Sequence, residues 1–254
     1  MIAVILAAGM GTRLMPLTKE IPKALLEIND VTLLERMIKN CINTGISKFI
    51  VVVGYNHDKV IEFCEKLAEK YDIEIDAVVN EDYEVTNTSV STFIASKIIA
   101  ENPEDFILVN GDNVVDPEII SRIAECRHTA MIIDNYKKLN EESFKLIIDD
   151  EVFNDDKTIL HGSINSIGKT LDIASSSGEF IGVSKVISED IAEFNEILSE
   201  LIEENPQNYY DFAYKDLSTI KTIDFVLTNA LKWTEIDDHN DWENAQILVN
   251  ELEK

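Results

Sequence analysis

The sequence predicts a single-domain α/β protein with a Rossmann-like sheet, mixed but mostly parallel and flanked by helices. Three features predict this class. Short apolar runs alternate with helix-periodic segments of roughly ten to fourteen residues, as in βαβ units. The first apolar run leads directly into two glycines. The chain has 254 residues, 45% of them hydrophobic, and no repeat or low-complexity linker, so one core is the simplest arrangement.

The first half of the chain, residues 1–126, predicts four strands separated by helices. Continuous apolar runs, which are typical of strands covered on both faces, lie at residues 2–7, 49–53 and 106–109, and a further strand is predicted at residues 73–79. Apolar residues at helical spacing predict helices at 31–43, 59–70, 89–100 and 116–126. Ligands of parallel sheets bind at the carboxyl ends of the strands, so the loops after these strands are the first candidates for a site.

The second half, residues 127–254, differs from the first in its pattern. Its short alternating stretches predict a mixed or antiparallel extension of the sheet, at residues 130–133, 145–148, 163–167 and 180–186. Helices are predicted at 188–204 and 241–252, with a short late strand at 233–237.

The net charge of −26 argues against nucleic acid as a partner, because phosphate backbones require clustered Lys and Arg. The charge is unevenly distributed, however. Residues 1–54 hold six basic and four acidic side chains, so the rest of the chain carries −28. An anionic ligand is therefore expected at the N-terminal segment.

The composition also indicates a compartment. No apolar run approaches the roughly 18–20 residues that a membrane span requires, and no basic segment precedes the first strand as in a signal peptide. Cys41, Cys64 and Cys126 form no CxxC pair, so they are expected to be buried in helical segments without a disulfide or zinc. A cytoplasmic protein is expected.

The strongest motif follows the first strand, with the letters LAAGMGTRL and then a Pro-Lys pair at residues 22 and 23. Gly9 and Gly11 allow a sharp turn that exposes backbone N–H groups to an anion. Arg13 offers a bidentate fork for phosphate oxygens, and Lys23 offers a second positive charge. A dinucleotide fingerprint or a plain strand-to-helix turn would also contain such glycines. Leu14 replaces the third glycine of GxGxxG, which weakens the dinucleotide alternative.

The complete string from Leu6 to Leu26, LAAGMGTRLMPLTKEIPKALL, closely resembles the signature of the sugar-nucleotidyltransferase superfamily. Members of this superfamily join nucleoside triphosphates to sugar phosphates and related acceptors. The resemblance implies a GT-A-like version of the fold, with Arg13 and Lys23 as the catalytic cations. Arg13 would hold the triphosphate, and Lys23 would bridge the α-phosphate and the acceptor's phosphate. The loop would hold the nucleotide through Leu6, Ala8, Gly9, Gly11 and Thr12.

An aspartate follows the fourth predicted strand, in the segment Asn110-Gly111-Asp112. A carboxylate at this position is well placed for Mg²⁺, which prefers hard oxygen ligands. An Asn-Gly-Asp turn without a metal is the alternative. The superfamily's second motif is a strand that ends in Gly-Asp. The resemblance therefore implies that Asp112 contacts both the nucleotide and Mg²⁺.

A second acidic segment, WTEIDDHND, lies at residues 233–241. If it is extended, Glu235 and Asp237 point to the same face, because side chains alternate along a strand. Two carboxylates on one face favour a cation between them, although a solvated acidic turn could have the same sequence. The superfamily has a W-x-E-I-D-x-x-x-D pattern here, which implies Asp237 as a Mg²⁺ ligand with Glu235 beside it. Asp238 and Asp241 are expected to cap the last helix.

Residues 80–92 are similar to a segment of the cytidylyltransferases for phosphocholine, inositol phosphate and aminoethylphosphonate. In that branch the segment opens a helix and lines the pyrimidine pocket. The resemblance implies that Asn87 and Ser89 contact the base, although helix capping alone would select such residues. Thr88 replaces the second Asn of the family's pattern, so the choice between CTP and UTP or dTTP stays open.

Two further segments resemble the acceptor site of the same branch. Glu179, within residues 178–182, would face the acceptor, and Tyr210, within residues 209–211, would close the pocket. An acidic and aromatic pocket suits an acceptor with an ammonium group, through charge pairing and cation–π contact. Phosphocholine, aminoethylphosphonate and a phosphorylated amino acid such as phosphoglutamine fit this description. A sugar 1-phosphate is the alternative.

One motif is assigned no role. Gly168-Lys169-Thr170 resembles the end of a P-loop, but Gly162 lies one residue too far upstream. Strand-like residues also follow where a P-loop would be followed by a helix.

The expected reaction is Mg²⁺-dependent transfer of CMP from CTP to a small phosphorylated acceptor, with release of pyrophosphate. Residues 1–126 would bind the nucleotide, and residues 127–254 would bind the acceptor and complete the metal site. The CDP-linked product would serve the biosynthesis of a surface polysaccharide such as a capsule, or of lipid. Neither nucleic acid nor a membrane is an expected partner, and a homodimer is one option for the assembly.

Two rival hypotheses remain open at this point. One is uridylyl or thymidylyl transfer to a sugar 1-phosphate. The other, of a different class, is a catalytically silent nucleotide-binding regulator.

Overall fold

The structure is a computed structural model that describes residues 1–155 and 157–254. A nine-stranded sheet forms its centre, and two short two-stranded sheets lie beside it. In chain order, the strands of the described residues are β1 (Ile2–Ala7), β2 (Glu27–Ile28), β3 (Val31–Thr32), β4 (Lys48–Val53), β5 (Glu74–Val79), β6 (Phe106–Asn110), β7 (Asn113–Val115), β8 (Thr129–Asp134), β9 (Lys145–Phe153), β10 (Ile159–Gly168), β11 (Gly178–Val186), β12 (Ile223–Leu227) and β13 (Trp233–Glu235).

Helices cover both faces of the large sheet. Those of the described residues are α1 (Leu33–Ile42), α2 (His57–Tyr71), α3 (Thr88–Glu101), α4 (Pro117–Glu125), α5 (Ile191–Glu204), α6 (Asp211–Leu217) and α7 (His239–Leu252). Within the same residues, no helix is both long enough and apolar enough to cross a membrane. Cys41, Cys64 and Cys126 are buried and unpaired, and Cys126 lies directly after α4.

The strand order of the large sheet is β5-β4-β1-β6-β11-β8-β12-β10-β9. The first four strands run parallel to one another, and β12 runs parallel to β8. Only β10 and β11 oppose the common direction in this sheet of the described chain. The prediction of a mixed, mostly parallel sheet is confirmed.

The alternation of side chains along β1 separates two cores. Ile5 belongs to the cluster formed with α1, α2 and α4 on one face, whereas Val4 belongs to the cluster formed with α3, α5 and α6 on the other. This is why the continuous apolar run at residues 2–7 forms a strand that is covered on both faces. Parallel pairing of β1 with β6 places the loops after these two strands side by side at the carboxyl edge of the sheet.

A third, smaller cluster attaches the C-terminal helix to the loop after β1. Leu14 from that loop packs with Ile236 and with Val249 of α7. The helix begins with a capping box, in which Asp238 accepts from the backbone N–H of Asp241 and Asp241 accepts from that of Asp238. The prediction that these two aspartates cap the helix is confirmed.

Several elements differ from the predictions for the second half. The strand at 233–237 ends at Glu235, and α6 and β12 were not predicted. α6 has seven residues, too few for a clear helical period. β12 contains the buried Asp224, which interrupts the apolar run. Its carboxylate is accommodated because the Nδ1 atoms of His161 and His128 lie 2.9 Å and 3.2 Å from its two oxygens.

Candidate active site

A cleft of about 380 Å³ opens at the carboxyl edge of the sheet, where the loops after β1 and β6 meet β11 and β13. It is lined by almost all of the residues singled out in the sequence. These are Leu6, Ala8, Gly9, Gly11, Thr12, Arg13, Lys23, Asn87, Asp112, Glu179, Glu235 and Asp237. Ser89 and Tyr210 are the two that do not line it.

The glycine loop folds back over Lys23. Gly11 adopts a left-handed conformation with φ of 59°, and a Cβ atom there would lie 3.1 Å from Thr18 Cγ2 and 3.3 Å from Lys23 Cβ. Thr18 Oγ1 donates to the carbonyl of Gly11 over 2.7 Å and fixes this turn. A Cβ atom at Gly9, by contrast, would meet open space. Gly11 therefore serves the fold of the loop, whereas Gly9 leaves the backbone open to a ligand.

Lys23 and Arg13 form ion pairs with two of the carboxylates. Lys23 Nζ lies 2.6 Å from Asp112 Oδ2 and 3.4 Å from Asp237 Oδ1, and Arg13 Nη2 lies 2.9 Å from the same Asp237 oxygen. Burial disfavours the charge on Lys23, but the charge and hydrogen bond of Asp112 outweigh this effect, so the pKa of Lys23 is raised. Both cations are charged and already placed among the carboxylates.

Pairing of β13 with β7 brings the third carboxylate to this point. Glu235 stands opposite Asn113, and the backbone N–H of Ile236 donates to the carbonyl of Asp112 over 3.1 Å. One oxygen from each of Asp112, Glu235 and Asp237 lies within 4.8 Å of the others. Glu235 is open to the cleft, but the surrounding protein desolvates its carboxylate and Asp112 and Asp237 repel its charge. Together these effects raise the pKa of Glu235 to about 8.

The acidic cluster fits a divalent cation. Asp112 Oδ1 is buried and has no hydrogen-bond partner within the described chain, which is costly unless another ligand satisfies it. Lys23 and Arg13 offset part of the mutual repulsion of the three carboxylates, and a divalent cation would offset it further. Carboxylate oxygens are the ligands that Mg²⁺ prefers.

The side of the cleft next to α3 is polar, and its side chains are hydrogen-bonded to one another. Asn87 caps α3 by accepting from the backbone N–H of Thr88, and both residues line the cleft. Asn80 lines it too, and its amide nitrogen donates to Thr86 Oγ1 and Ser91 Oγ over 3.2 Å and 3.1 Å. Ser89 is fully buried behind this wall. Thr88 and Ser91 therefore hold the positions that the sequence had suggested for Ser89.

The opposite end of the cleft is acidic and aromatic. Glu179 is half-buried there, and desolvation raises the pKa of its carboxyl. Asp211 is buried at the start of α6, and desolvation raises its pKa to about 7. Tyr209 faces the cleft and packs edge-on against Phe144, with ring centroids 5.6 Å apart. Tyr210, which the sequence had suggested for this role, is fully buried.

A sequence profile of the nucleotidyl transferase family matches residues 2–158, more than half of the chain. The chain belongs to the nucleotidyl transferase family. The resemblance stated from the glycine-rich string is thereby confirmed, and so is the enzyme class that it implied.

Curated relatives of this nucleotidyltransferase include cytidylyltransferases. The chain is 28% identical to the CTP:phosphoglutamine cytidylyltransferase of Campylobacter jejuni over 95% of its length and 97% of the relative. It is 34% identical to the choline-phosphate cytidylyltransferase of Streptococcus pneumoniae over 44% of each chain. Among solved structures, the inositol-1-phosphate CTP transferase of T. maritima superposes with a TM-score of 0.78 at 21% identity, covering 100% of this chain and 96% of that one. This last similarity shows the fold.

The structure also adds residues to the site of this nucleotidyltransferase. Lys169, set aside in the sequence, lines the cleft, and its Nζ lies 3.2 Å from Glu142 Oε2. Lys169 directly follows β10, but the sequence alone does not show that the end of β10 reaches the cleft. Asp211 and Asn110 line the cleft as well. Both lie within segments that the sequence had singled out, but neither was itself predicted to contact a ligand.

Proposed function

We propose that the protein transfers CMP from CTP to a small phosphorylated acceptor that carries an ammonium group, with release of pyrophosphate. The observation that carries this proposal is the division of one cleft into two ends. Arg13 and Lys23 lie among three carboxylates at one end, and Glu179 and Asp211, which form no salt bridge in the described chain, lie beside aromatic rings at the other. The product would be a CDP-linked compound for the biosynthesis of surface polysaccharide or lipid.

Cytidine is favoured by the relatives. The relative that aligns over nearly the whole chain is a cytidylyltransferase, and so is the pneumococcal relative. The first acts on phosphoglutamine and the second on choline phosphate by their names, and both acceptors combine a phosphate with an ammonium group. A further relative, 36% identical over 46% of this chain, is named for 2-aminoethylphosphonate, which combines a phosphonate with an ammonium group.

The reaction that we propose needs no general base. An anionic oxygen of the acceptor's phosphate or phosphonate attacks the α-phosphorus of CTP and forms a new P–O bond. The bond from that phosphorus to the oxygen bridging to the β-phosphate breaks, and its electron pair leaves with pyrophosphate. The obstacle is the approach of two anions, which Arg13 on the triphosphate and Lys23 between the two phosphates would counter.

The acidic cluster would hold the metal. Mg²⁺ bound by Asp112 and Asp237, with Glu235 beside it, would supply positive charge to the phosphate oxygens. Lys23 now occupies the space between Asp112 and Asp237. It would therefore exchange these carboxylates for phosphate oxygens when substrate binds.

The acceptor end would recognise the ammonium group. Asp211 and Glu179 have raised pKa values because they are poorly solvated, so a cation beside them would restore their charged forms. The ring of Tyr209 adds a face for cation–π contact. A neutral sugar would leave these two carboxyls without a cation to pair with.

Pyrophosphate release tests the proposal. The purified protein with Mg²⁺ is given CTP, UTP, dTTP, ATP or GTP, each against phosphocholine, phosphoglutamine, aminoethylphosphonate and glucose 1-phosphate. We expect strong release with CTP and one of the ammonium-bearing acceptors. Release with UTP or dTTP and the sugar phosphate, but not with CTP, would overturn the cytidylyl assignment. Nucleotide binding without release from any pair would support the silent regulator instead.

A further inference from the structure

The hydroxyl of Tyr210 is directed at the cleft wall and does not enter the cleft. Tyr210 is fully buried, and its ring packs edge-on against those of Phe180 and Tyr214 at centroid distances of 6.1 Å and 6.2 Å. Its hydroxyl donates to Asn110 Oδ1 over 3.3 Å. Within the described chain this is its single side-chain partner. The rings hold the hydroxyl in place, so the oxygen of the Asn110 amide is held as well.

Gly182 makes room for the other end of that amide. A Cβ atom at Gly182 would lie 2.4 Å from Asn110 Nδ2 and 2.8 Å from Asn110 Cγ. Such distances are too short for real contacts, and the φ of 73° at Gly182 is itself rare for residues with a side chain. The register of β11 against β8 shifts between Phe180 and Ser184, around this glycine. β11 is therefore shaped to accept the amide of Asn110.

The amide nitrogen of Asn110 is left free to bind a ligand. Asn110 lines the cleft, two residues before the carboxylate of Asp112. In the part of the chain that the structure describes, no protein group accepts a hydrogen bond from Nδ2, and this atom is not among the buried polar atoms that lack a partner. It is thus a donor that remains accessible from the cleft, next to the acidic cluster.

We propose that Asn110 donates from Nδ2 to a phosphate or phosphonate oxygen of the acceptor, and that Tyr210 and Gly182 are positioning residues that orient its amide. This inference rests on the proposed function. The acceptor is favoured over the triphosphate because Asn110 faces β11, the strand that carries Glu179. An amide also suits this position because it donates without charge, whereas an aspartate beside Asp112 and Glu235 would repel the acceptor's anion.

Steady-state kinetics with a double-mutant cycle tests this role. The variants are Asn110→Ala, Tyr210→Phe and the double variant, with the acceptor varied at saturating CTP. We expect Asn110→Ala to lower kcat/KM for the acceptor about tenfold, as for loss of one hydrogen bond to a charged group. Tyr210→Phe should lower it about threefold, since the amide is then free to turn, and should have no further effect in the Asn110→Ala background.

Tyr214→Phe is the matched control. Tyr214 lies in the same aromatic cluster, is also fully buried, and donates its hydroxyl to Ser184 Oγ over 2.7 Å, away from the cleft. Tyr214→Phe should lower the thermal stability about as much as Tyr210→Phe does, and it should keep wild-type kcat/KM. Gly182→Ala displaces the Asn110 amide and should reproduce the kinetic loss of Asn110→Ala. The Kd for CTP, measured by calorimetry, should stay within about twofold in all of these variants.

Each result decides the question. Three outcomes would overturn the inference while leaving the proposed function intact. The effects of Asn110→Ala and Tyr210→Phe could be additive, or Asn110→Ala could leave kcat/KM unchanged. In the third outcome, Asn110→Ala weakens the Kd for CTP and causes no kinetic loss. A wild-type protein that releases no pyrophosphate with any acceptor would overturn the proposed function, and this inference with it. The two failures are therefore distinguishable.

Discussion

The two ends of the cleft treat carboxylates in opposite ways. At the end that holds the acidic cluster, Asp112 and Asp237 each contact a cationic side chain, and the pKa of Lys23 is raised as a result. At the other end, Asp211 and Glu179 form no salt bridge within the described chain, and their own pKa values are raised by desolvation. The carboxylates of the first end are stabilised by cations of the protein itself. The carboxyls of the second end lack such a partner, so a cationic ligand would favour their charged forms.

The largest expected effect concerns Asp211, the buried acid that forms no salt bridge in the described chain. The pKa of Asp211 is about 7 in the folded protein, whereas the pKa of an aspartate in an unfolded chain is ~3.9. As pH rises, the unfolded state therefore loses this proton before the folded state does. The contribution of Asp211 to stability is therefore greatest below about pH 4, falls across the interval up to about pH 7 and is constant above it. The loss amounts to about 4 kcal/mol.

Replacing Asp211 with Asn tests this expectation. Relative to wild type, Asp211→Asn should become progressively more stable between pH 5 and pH 8 in urea unfolding. Asp216→Asn, an exposed change in the same helix, serves as the control and should follow wild type at both pH values. If wild type and Asp211→Asn keep a constant stability difference across this interval, the carboxyl is not held protonated by burial.

The next largest effect concerns Lys23, which forms ion pairs with Asp112 and Asp237. Lys23→Ala should lower kcat by about 10²–10³ at saturating CTP and acceptor, because one preorganised positive charge is lost from the transition state. Lys19→Ala removes an exposed lysine from the same loop and should keep wild-type turnover. Near-wild-type kcat in Lys23→Ala would remove Lys23 from the chemistry.

A smaller effect is expected from a second substitution of Lys23, measured as metal binding in the absence of substrate. Because Lys23 contacts Asp112 and Asp237, Lys23→Met should tighten binding of Mn²⁺ to the nucleotide-free protein by about tenfold. The electron paramagnetic resonance signal of free Mn²⁺ measures this directly. Unchanged or weaker Mn²⁺ binding would show that Lys23 does not compete with a metal for these oxygens.

The smallest effect links Asp211 to the acceptor. The KM for an ammonium-bearing acceptor should fall several-fold, by up to about tenfold, as pH rises through 7, because only the ionised carboxyl pairs with the cation. Asp211→Asn should have a higher KM that changes less over this range, because only Glu179 then remains to pair with the cation. A KM whose pH dependence is the same in both proteins would assign the ammonium group to another residue.

The acidic cluster and its cations could be predicted from sequence because these residues lie in short, contiguous strings. Arg13 and Lys23 belong to one loop, and Glu235 and Asp237 to one short segment at the end of β13, so each pair stays close together whatever the rest of the chain does. The opposite end of the cleft could not be predicted to the residue. Tyr209 and Tyr210 are neighbours that point to opposite sides of a wall, and only the packing of α6 against β10 decides which one meets the cleft.

The misplaced prediction for Ser89 and the missed position of Lys169 also depend on packing that local sequence does not specify. Capping by Asn87 sets the phase of α3, which turns Ser89 into the core and leaves Thr88 at the cleft. Lys169 reaches the cleft through long-range pairing of β10 with β12, a strand that the buried Asp224 conceals in the sequence. The general fold needed only hydrophobic periodicity, which is why it was predicted more completely than these contacts.

The packing of α7 on the glycine loop has a consequence for synthesis of the protein. Lys23 and Asp237 are 214 residues apart in the chain, yet Leu14 and Val249 belong to the cluster that holds their two segments together. Lys23 and Asp112 are made early, whereas Glu235 in β13 and Asp237 just before α7 are made near the end of the chain. The three carboxylates can therefore come together beside Lys23 only after nearly all of the protein has been synthesised.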